Sequence, residues 1–447
     1  MQSFQTIRQN NRLFTVQMSE RRIAVIGAGA AGLCAARHLT TKPAQFDVVV
    51  FEKSDRVGGT WVYTESVGLD EHGLPIHSSM YKSLKTNLPK EIMAFPDFPF
   101  DERLPSFIKH TDVLDYLQQY SDHFQLDNFI QFSTVVEMVR PIKSSDDSIT
   151  WEITVSNLRT RHRTTSIFHQ IMVCNGHYAI PNIPDLPGRD KFKGYQLHSH
   201  NYRHPDVFKD QKVVVLGAAS SGLDIILDIA PHAKHVYLSH WKDRVVAPLP
   251  DNTEQAKEVV SLTQEDVVFA DGEKCKPDAI IYCTGYNYDF SFLTPECQLT
   301  VDDRRIMPLY KHIIHTSFPS LAFIGITQKV LPFPHFTAQV KFVLASWIGT
   351  YQLPDQTEMD VSTEEDFRWR TTTLKMPHRY AHFMGSIMRE YHQDLLEMAK
   401  EHQFKPVLMD LYEEMYRIRR INLMHYKKLG FKVLNDENFQ LLEVDTQ

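Results

Sequence analysis

Ile23-Ala24-Val25-Ile26-Gly27-Ala28-Gly29-Ala30-Ala31-Gly32 is the stretch on which the fold turns. Four apolar residues of buried-strand character run straight into a G-x-G-x-x-G turn, and Ala30 to Leu39 is rich in strong helix formers. Such a strand–turn–helix aims free backbone N–H groups and the positive end of a helix dipole at one point, where a pyrophosphate can sit. Gly27 serves the tight turn, Gly29 the close approach of phosphate, and Gly32 the packing of helix on strand. A second strand, Asp47 to Phe51, ends at Glu52. That acid lies about 20 residues past Gly32, the spacing of a ribose-binding carboxylate. Gly58-Gly59-Thr60-Trp61 follows, a Gly-Gly turn that lets the chain pass close to a pyrophosphate, with an aromatic beside it.

The pattern returns downstream. Val213 to Leu216 predicts a strand, Gly217-Ala218-Ala219-Ser220-Ser221-Gly222 the turn, and Leu223 to Ala230 a helix. Ala219 replaces the middle glycine, and its methyl group crowds a phosphate slightly. The next strand, Val236 to Leu238, runs into Ser239-His240-Trp241-Lys242-Asp243-Arg244, with no acid at its end. A carboxylate there repels a 2′-phosphate, whereas Lys242 or Arg244 pairs with one, so NADPH is favoured over NADH. Solvated surface charges would leave the same sequence. Two fingerprints in one chain imply two nucleotide cofactors, FAD and a nicotinamide that reduces it. The fold class expected is α/β, with two Rossmann-like dinucleotide-binding domains. The flavin domain is interrupted by the nicotinamide domain, and the C-terminal part is helical.

Between the fingerprints stands Phe192-Lys193-Gly194-Tyr195-Gln196-Leu197-His198-Ser199-His200-Asn201-Tyr202. It resembles the signature of class B flavoprotein monooxygenases, and its ending at Tyr202 resembles the N- and S-oxygenating branch, the flavin-containing monooxygenases. Met80-Tyr81-Lys82-Ser83-Leu84-Lys85-Thr86-Asn87, Phe95-Pro96-Asp97-Phe98-Pro99 and Asp278-Ala279-Ile280-Ile281-Tyr282-Cys283-Thr284-Gly285-Tyr286 are similar to further family segments, in the family's order. The resemblance implies an NADPH- and oxygen-dependent enzyme of the N,N-dimethylaniline monooxygenase type. In it a flavin C4a-hydroperoxide would oxygenate an amine nitrogen or a sulfide sulfur without a protein nucleophile. His198 would link the domains and not act as a base. Asn87 is the candidate catalytic residue: its amide both donates and accepts, and the matching family residue lies beside the flavin. The cofactor contacts expected are Gly27, Gly29, Gly32, Glu52, Thr60, Trp61, Thr86 and Asn87 for FAD. For NADPH they are Tyr202, Gly217, Ser220, Ser221, Gly222, Asp224, Lys242 and Arg244. A Baeyer–Villiger oxygenase, an uncoupled NADPH oxidase and a non-catalytic flavoprotein interaction module stay open as alternatives.

Composition agrees. A chain of 447 residues with 43% hydrophobic content builds a sizeable core in two or three domains. A net charge of −7 of mixed sign gives no footprint for nucleic acid. Cys34, Cys174, Cys275, Cys283 and Cys297 form no close pair, which argues against the disulfide reductases and against zinc or any other metal site. No run approaches the roughly 18 apolar residues of a membrane span. The expected location is the cytoplasm, with peripheral endoplasmic reticulum association and a mitochondrial leader carrying Arg8 and Arg12 as the alternatives. The expected partners are a small amine or sulfide and molecular oxygen, and a homodimer is left open. The domains expected are an N-terminal extension over 1–20, a first flavin part over 21–176, a nicotinamide domain with its linker over 177–318, and a second flavin part with the helical C-terminus over 319–447.

Overall fold

The computed structural model describes residues 21–442, so the extension over 1–20 and the leader reading fall outside the described residues. Two sheets organise the chain, one mixed with a parallel centre and one parallel. The first has seven strands in the order Leu309–Tyr310, Ile314–His315, Leu321–Phe323, Gln170–Val173, Arg21–Ile26, Phe46–Phe51, Ile130–Gln131. Its parallel centre is in register from Ile23 opposite Val48 on one side to Ile23 opposite Gln170 on the other. The second has five parallel strands in the order Thr253–Ala256, His235–Ser239, Lys212–Leu216, Ala279–Tyr282, Tyr195–His198. Both are covered on their faces, which is why their central strands read as continuous apolar runs and not as alternating ones.

The first sheet packs the helices Ala30–Thr40 and Pro332–Trp347 on one face, with Ala35, Leu39, Ala338 and Phe342 wholly buried. On its other face lies an antiparallel sheet of Thr134–Lys143, Ile149–Asn157 and Arg163–Phe168, joined through Trp151, Ile153 and an edge-on contact of Phe51 with Phe168 at 5.8 Å. The seven-stranded sheet takes the chain back at Leu309, ahead of the return expected at 319. Leu309–Tyr310 and Ile314–His315 are two-residue antiparallel strands, too short to show a period in sequence. The region beyond is helical as expected, in Gln356–Thr372, Met388–Met398 and Pro406–Ile421.

One side chain ties the segment between the strands Tyr195–His198 and Lys212–Leu216 to the flavin domain. Arg203 is buried and donates from Nη1 to the carbonyls of Met80, His200 and Tyr202 and from Nη2 to those of Ser66 and Ser78. All five cysteines are buried and unbonded to one another. Among the described residues no helix is long and apolar enough to cross a membrane, and no cluster of side chains is suited to hold a metal.

Burial of histidines makes the fold acid-sensitive. Burial pushes His198 and His315 down to about 4 and His392 to about 3, so all three are neutral in the fold while the unfolded chain titrates them near pH 6.5. Below that pH the unfolded state takes up protons that the native state refuses. The urea midpoint is expected to hold above about pH 7 and to fall steadily from about pH 6.5 to 5. A midpoint flat across that range would contradict the assignment.

Candidate active site

The first fingerprint is built on contacts that exclude a side chain. Gly27 has φ of +101°, and a Cβ on Gly32 would lie 1.8 Å from the Gly27 carbonyl oxygen. Gly29 faces Gly59, where a Cβ would stand 3.5 Å from the Gly59 Cα, and Gly58 N–H donates to the Ala28 carbonyl at 3.1 Å. The Gly-Gly turn therefore lies against the start of the helix and leaves the backbone there open to a ligand. Glu52 is buried behind it. Its Oε2 accepts from the Ala28 N–H at 2.7 Å, and its Oε1 accepts from the N–H and Oγ of Ser54 at 2.8 and 2.9 Å. The carboxylate thus orders the turn, with lone pairs left for ribose hydroxyls.

Thr60 Oγ1 and Thr86 Oγ1 are buried with no hydrogen-bond partner among the described residues. Unsatisfied hydroxyls in such a place fit a polar cofactor. Trp61 is half-buried and packs against the flavin-domain core. Asn87 follows Thr86 on the same loop, and its Oδ1 accepts from Tyr426 Oη at 3.1 Å. Tyr426 is buried, edge-on to Phe107 at 5.4 Å.

The second fingerprint repeats the geometry. Gly217 has φ of +114°, and a Cβ on Gly222 would lie 1.8 Å from the Gly217 carbonyl oxygen. Its helix starts at Ser220, earlier than the expected Leu223, so Ser220 and Ser221 form an exposed first turn with unpaired N–H groups. Lys242 and Arg244 stand exposed on the loop after the next strand, and Lys242 Nζ lies 5.6 Å from the Tyr380 ring centre.

Two expected coenzyme contacts point elsewhere. Tyr202 is buried and donates to Asp228 at 2.5 Å. Asp224 is buried one turn into the helix and accepts from Lys427 Nζ at 2.8 Å and from Tyr81 Oη at 3.4 Å. Both side chains hold the nicotinamide-domain helix to its neighbours. His198 is a brace, with Nε2 on the Gly285 carbonyl at 3.0 Å and Nδ1 accepting from the His200 N–H at 3.1 Å.

Sequence reasoning missed the residues that the C-terminal segment brings in: Arg419, Tyr426 and Lys427, and with them Lys329. Lys329 lies 3.6 Å over the Tyr416 ring. Burial, with Arg419 and Lys242 nearby, pushes its amine down to about 7.

The Flavin-binding monooxygenase-like family matches residues 20–248 and 250–416, which takes in both fingerprints. Flavin-containing monooxygenase FMO GS-OX-like 2 of Arabidopsis thaliana is 39% identical over 390 residues, 82% of each chain. The chain belongs to the flavin-binding monooxygenase family. Among solved structures it is similar to S-allyl-L-cysteine S-oxygenase from Allium sativum, with a TM-score of 0.85 and 33% identity over 93% of this chain and 96% of that one. It is also similar to Tmm from Pelagibacter sp. strain HTCC7211, with a TM-score of 0.81 and 26% identity over 91% and 93%. As a member of the family it is an FAD-dependent monooxygenase reduced by NADPH.

Two substitutions test the cofactor assignments. Gly29→Val places branches against Gly59 and against the pyrophosphate, so the purified protein should lose its yellow flavin absorbance; full loading would reject the first fingerprint as the FAD site. Replacing Lys242 and Arg244 with Ala should lower the preference for NADPH over NADH by about tenfold or more, the worth of one charge-assisted contact. Michaelis constants for the two coenzymes read this directly, and an unchanged ratio moves the 2′-phosphate elsewhere.

Proposed function

We propose that this flavin-binding monooxygenase oxygenates sulfur in small thioethers, with soft amines such as N,N-dimethylaniline as a second substrate class. The observation that carries this reading is the likeness, over nearly the whole chain, to an S-oxygenase of an allyl thioether amino acid. FAD, once reduced by NADPH, supplies the activation of dioxygen. A thioether sulfur is a soft nucleophile and attacks electrophilic oxygen through its own lone pair. No protein nucleophile is required, and none of the buried cysteines is placed to act as one.

The chain's own contribution is to exclude water and to place donors. Asn87 is the residue for the second task. Tyr426 Oη occupies its Oδ1, which fixes the amide so that Nδ2 carries two N–H donors free of that contact. The backbone beside it is held by the Thr86 N–H on the Ile108 carbonyl at 2.8 Å. A fixed donor costs no reorganisation at the moment of reaction.

Asn87→Leu keeps approximate volume and removes both hydrogen-bonding functions. Flavin loading should persist, because Glu52 and the first fingerprint are untouched, and reduction by NADPH should persist at least in part. The ratio of oxygenated product to NADPH consumed should fall, with hydrogen peroxide rising to match. Loss of one positioned donor costs about 2.7–4 kcal/mol at an oxyanion site, enough to redirect most turnover. Coupling equal to that of the parent would make Asn87 a turn residue. The parent assayed on thioether and amine panels tests the substrate reading itself; turnover of neither class would overturn it.

A further inference from the structure

The helix Ser220–Ile229 begins without a side-chain cap: Ala219 stands at its N-cap, and Ser220 and Ser221 are exposed. Its first N–H groups and the positive end of its dipole thus face a place where an anion is stabilised. Ala219 also makes this cradle poorer than the first one, since its methyl group holds a phosphate back.

Arg419 reaches the same place from the C-terminal helix Pro406–Ile421. It is 92% buried, being 8% exposed, and its Nη1 lies 3.5 Å from Ser220 Oγ. Its Nε and Nη2 are buried with no hydrogen-bond partner among the described residues. The nearest carboxylate does not satisfy them. Asp224 Oδ1 is 3.9 Å from Nη2, and Asp224 Oδ2 is taken by Lys427 at 2.8 Å. A buried guanidinium with donors unused is costly, and one beside an uncapped helix start is satisfied by a phosphate, which it grips with two parallel N–H bonds. Lys329 adds positive charge near Arg419. The C-terminal helix thus brings a cation to the start of the nicotinamide-domain helix.

We propose that Arg419 clamps the pyrophosphate of the nicotinamide coenzyme, completing from the C-terminal helix a site that the second fingerprint leaves open on one side. The clamp rests on the family's use of NADPH and adds to it a residue outside the nicotinamide domain. It compensates for the missing middle glycine: the phosphate sits further from the helix start and meets a guanidinium there. Coenzyme binding then joins the C-terminal helix to the nicotinamide domain.

Calorimetric titration of the FAD-loaded protein with NADP+ and with NAD+ tests the clamp without turnover. Arg419→Met should weaken both coenzymes by the same factor, about tenfold or more, because the pyrophosphate is common to them. Arg419→Lys should recover part of that loss. Val407→Ala, which loosens the packing of the same helix but leaves the guanidinium and its neighbours in place, should bind both coenzymes as the parent does. Hydrogen exchange over 406–421 should slow on adding NADP+ to the parent and stay unchanged in Arg419→Met. Equal affinity in the parent and Arg419→Met overturns the clamp, as does a loss confined to NADP+, which puts the contact on the 2′-phosphate. An equal loss in Val407→Ala also overturns it, since packing of the C-terminal helix would then be the cause. A parent that binds neither coenzyme removes the coenzyme reading and the clamp together.

Discussion

Two helices in this chain sit so close to the strands before them that a methyl group has nowhere to go. Gly32 rests on the carbonyl of Gly27, and Gly222 on that of Gly217, each with an ideal Cβ only 1.8 Å away. The carbonyls of Cys174 and Cys283 close on Gly27 and Gly217 in the same way, at the ends of neighbouring strands. Each joint fixes the direction of a helix start relative to the carboxyl ends of its sheet, the edge where open α/β sheets bind ligands. Every functional contact described above is referred to one of these two joints, and Arg203 holds the linker between them to the flavin domain.

That constraint is also what made the fold legible. Glycine spacing, apolar runs and the acid at Glu52 are local signals, and the structure keeps each in the context expected of it. What escaped was either short or distant. The two-residue strands at Leu309 and Ile314 carry no period, so sequence patterning does not show that they join the seven-stranded sheet. Asp224 and Tyr202 lie beside recognisable motifs, yet the side of the element that each occupies depends on what packs there. Arg419, Tyr426 and Lys427 meet Ser220, Asn87 and Asp224 across most of the chain. On an amphipathic C-terminal helix and the turn after it, such residues read as ordinary surface charges and a core aromatic.

The C-terminal segment consequently touches both nucleotide-binding domains at once. Over a few residues it touches Asn87 through Tyr426 and Asp224 through Lys427, and Lys427 also donates to the Lys85 carbonyl at 3.0 Å. Phe431 N–H then donates to Ser106 Oγ, which fastens the segment to the flavin domain. The flavin side and the coenzyme side thus share one structural element, so a disturbance at either is felt at the other through packing and hydrogen bonds alone.

The buried cysteines bear on how such an enzyme survives its own chemistry. Burial pushes Cys34, Cys275 and Cys283 up to about 12 and Cys297 to about 11, and raises Cys174 as well. Peroxides oxidise the thiolate and not the thiol, and a thiol with so high a pKa is almost wholly protonated near neutral pH. An oxygenase that leaks peroxide on some turnovers therefore carries sulfur that its by-product attacks slowly. Among its described sulfur-bearing side chains, the exposed thioether of Met424 is a softer target than any cysteine, so self-inflicted ageing should be written in methionine sulfoxide.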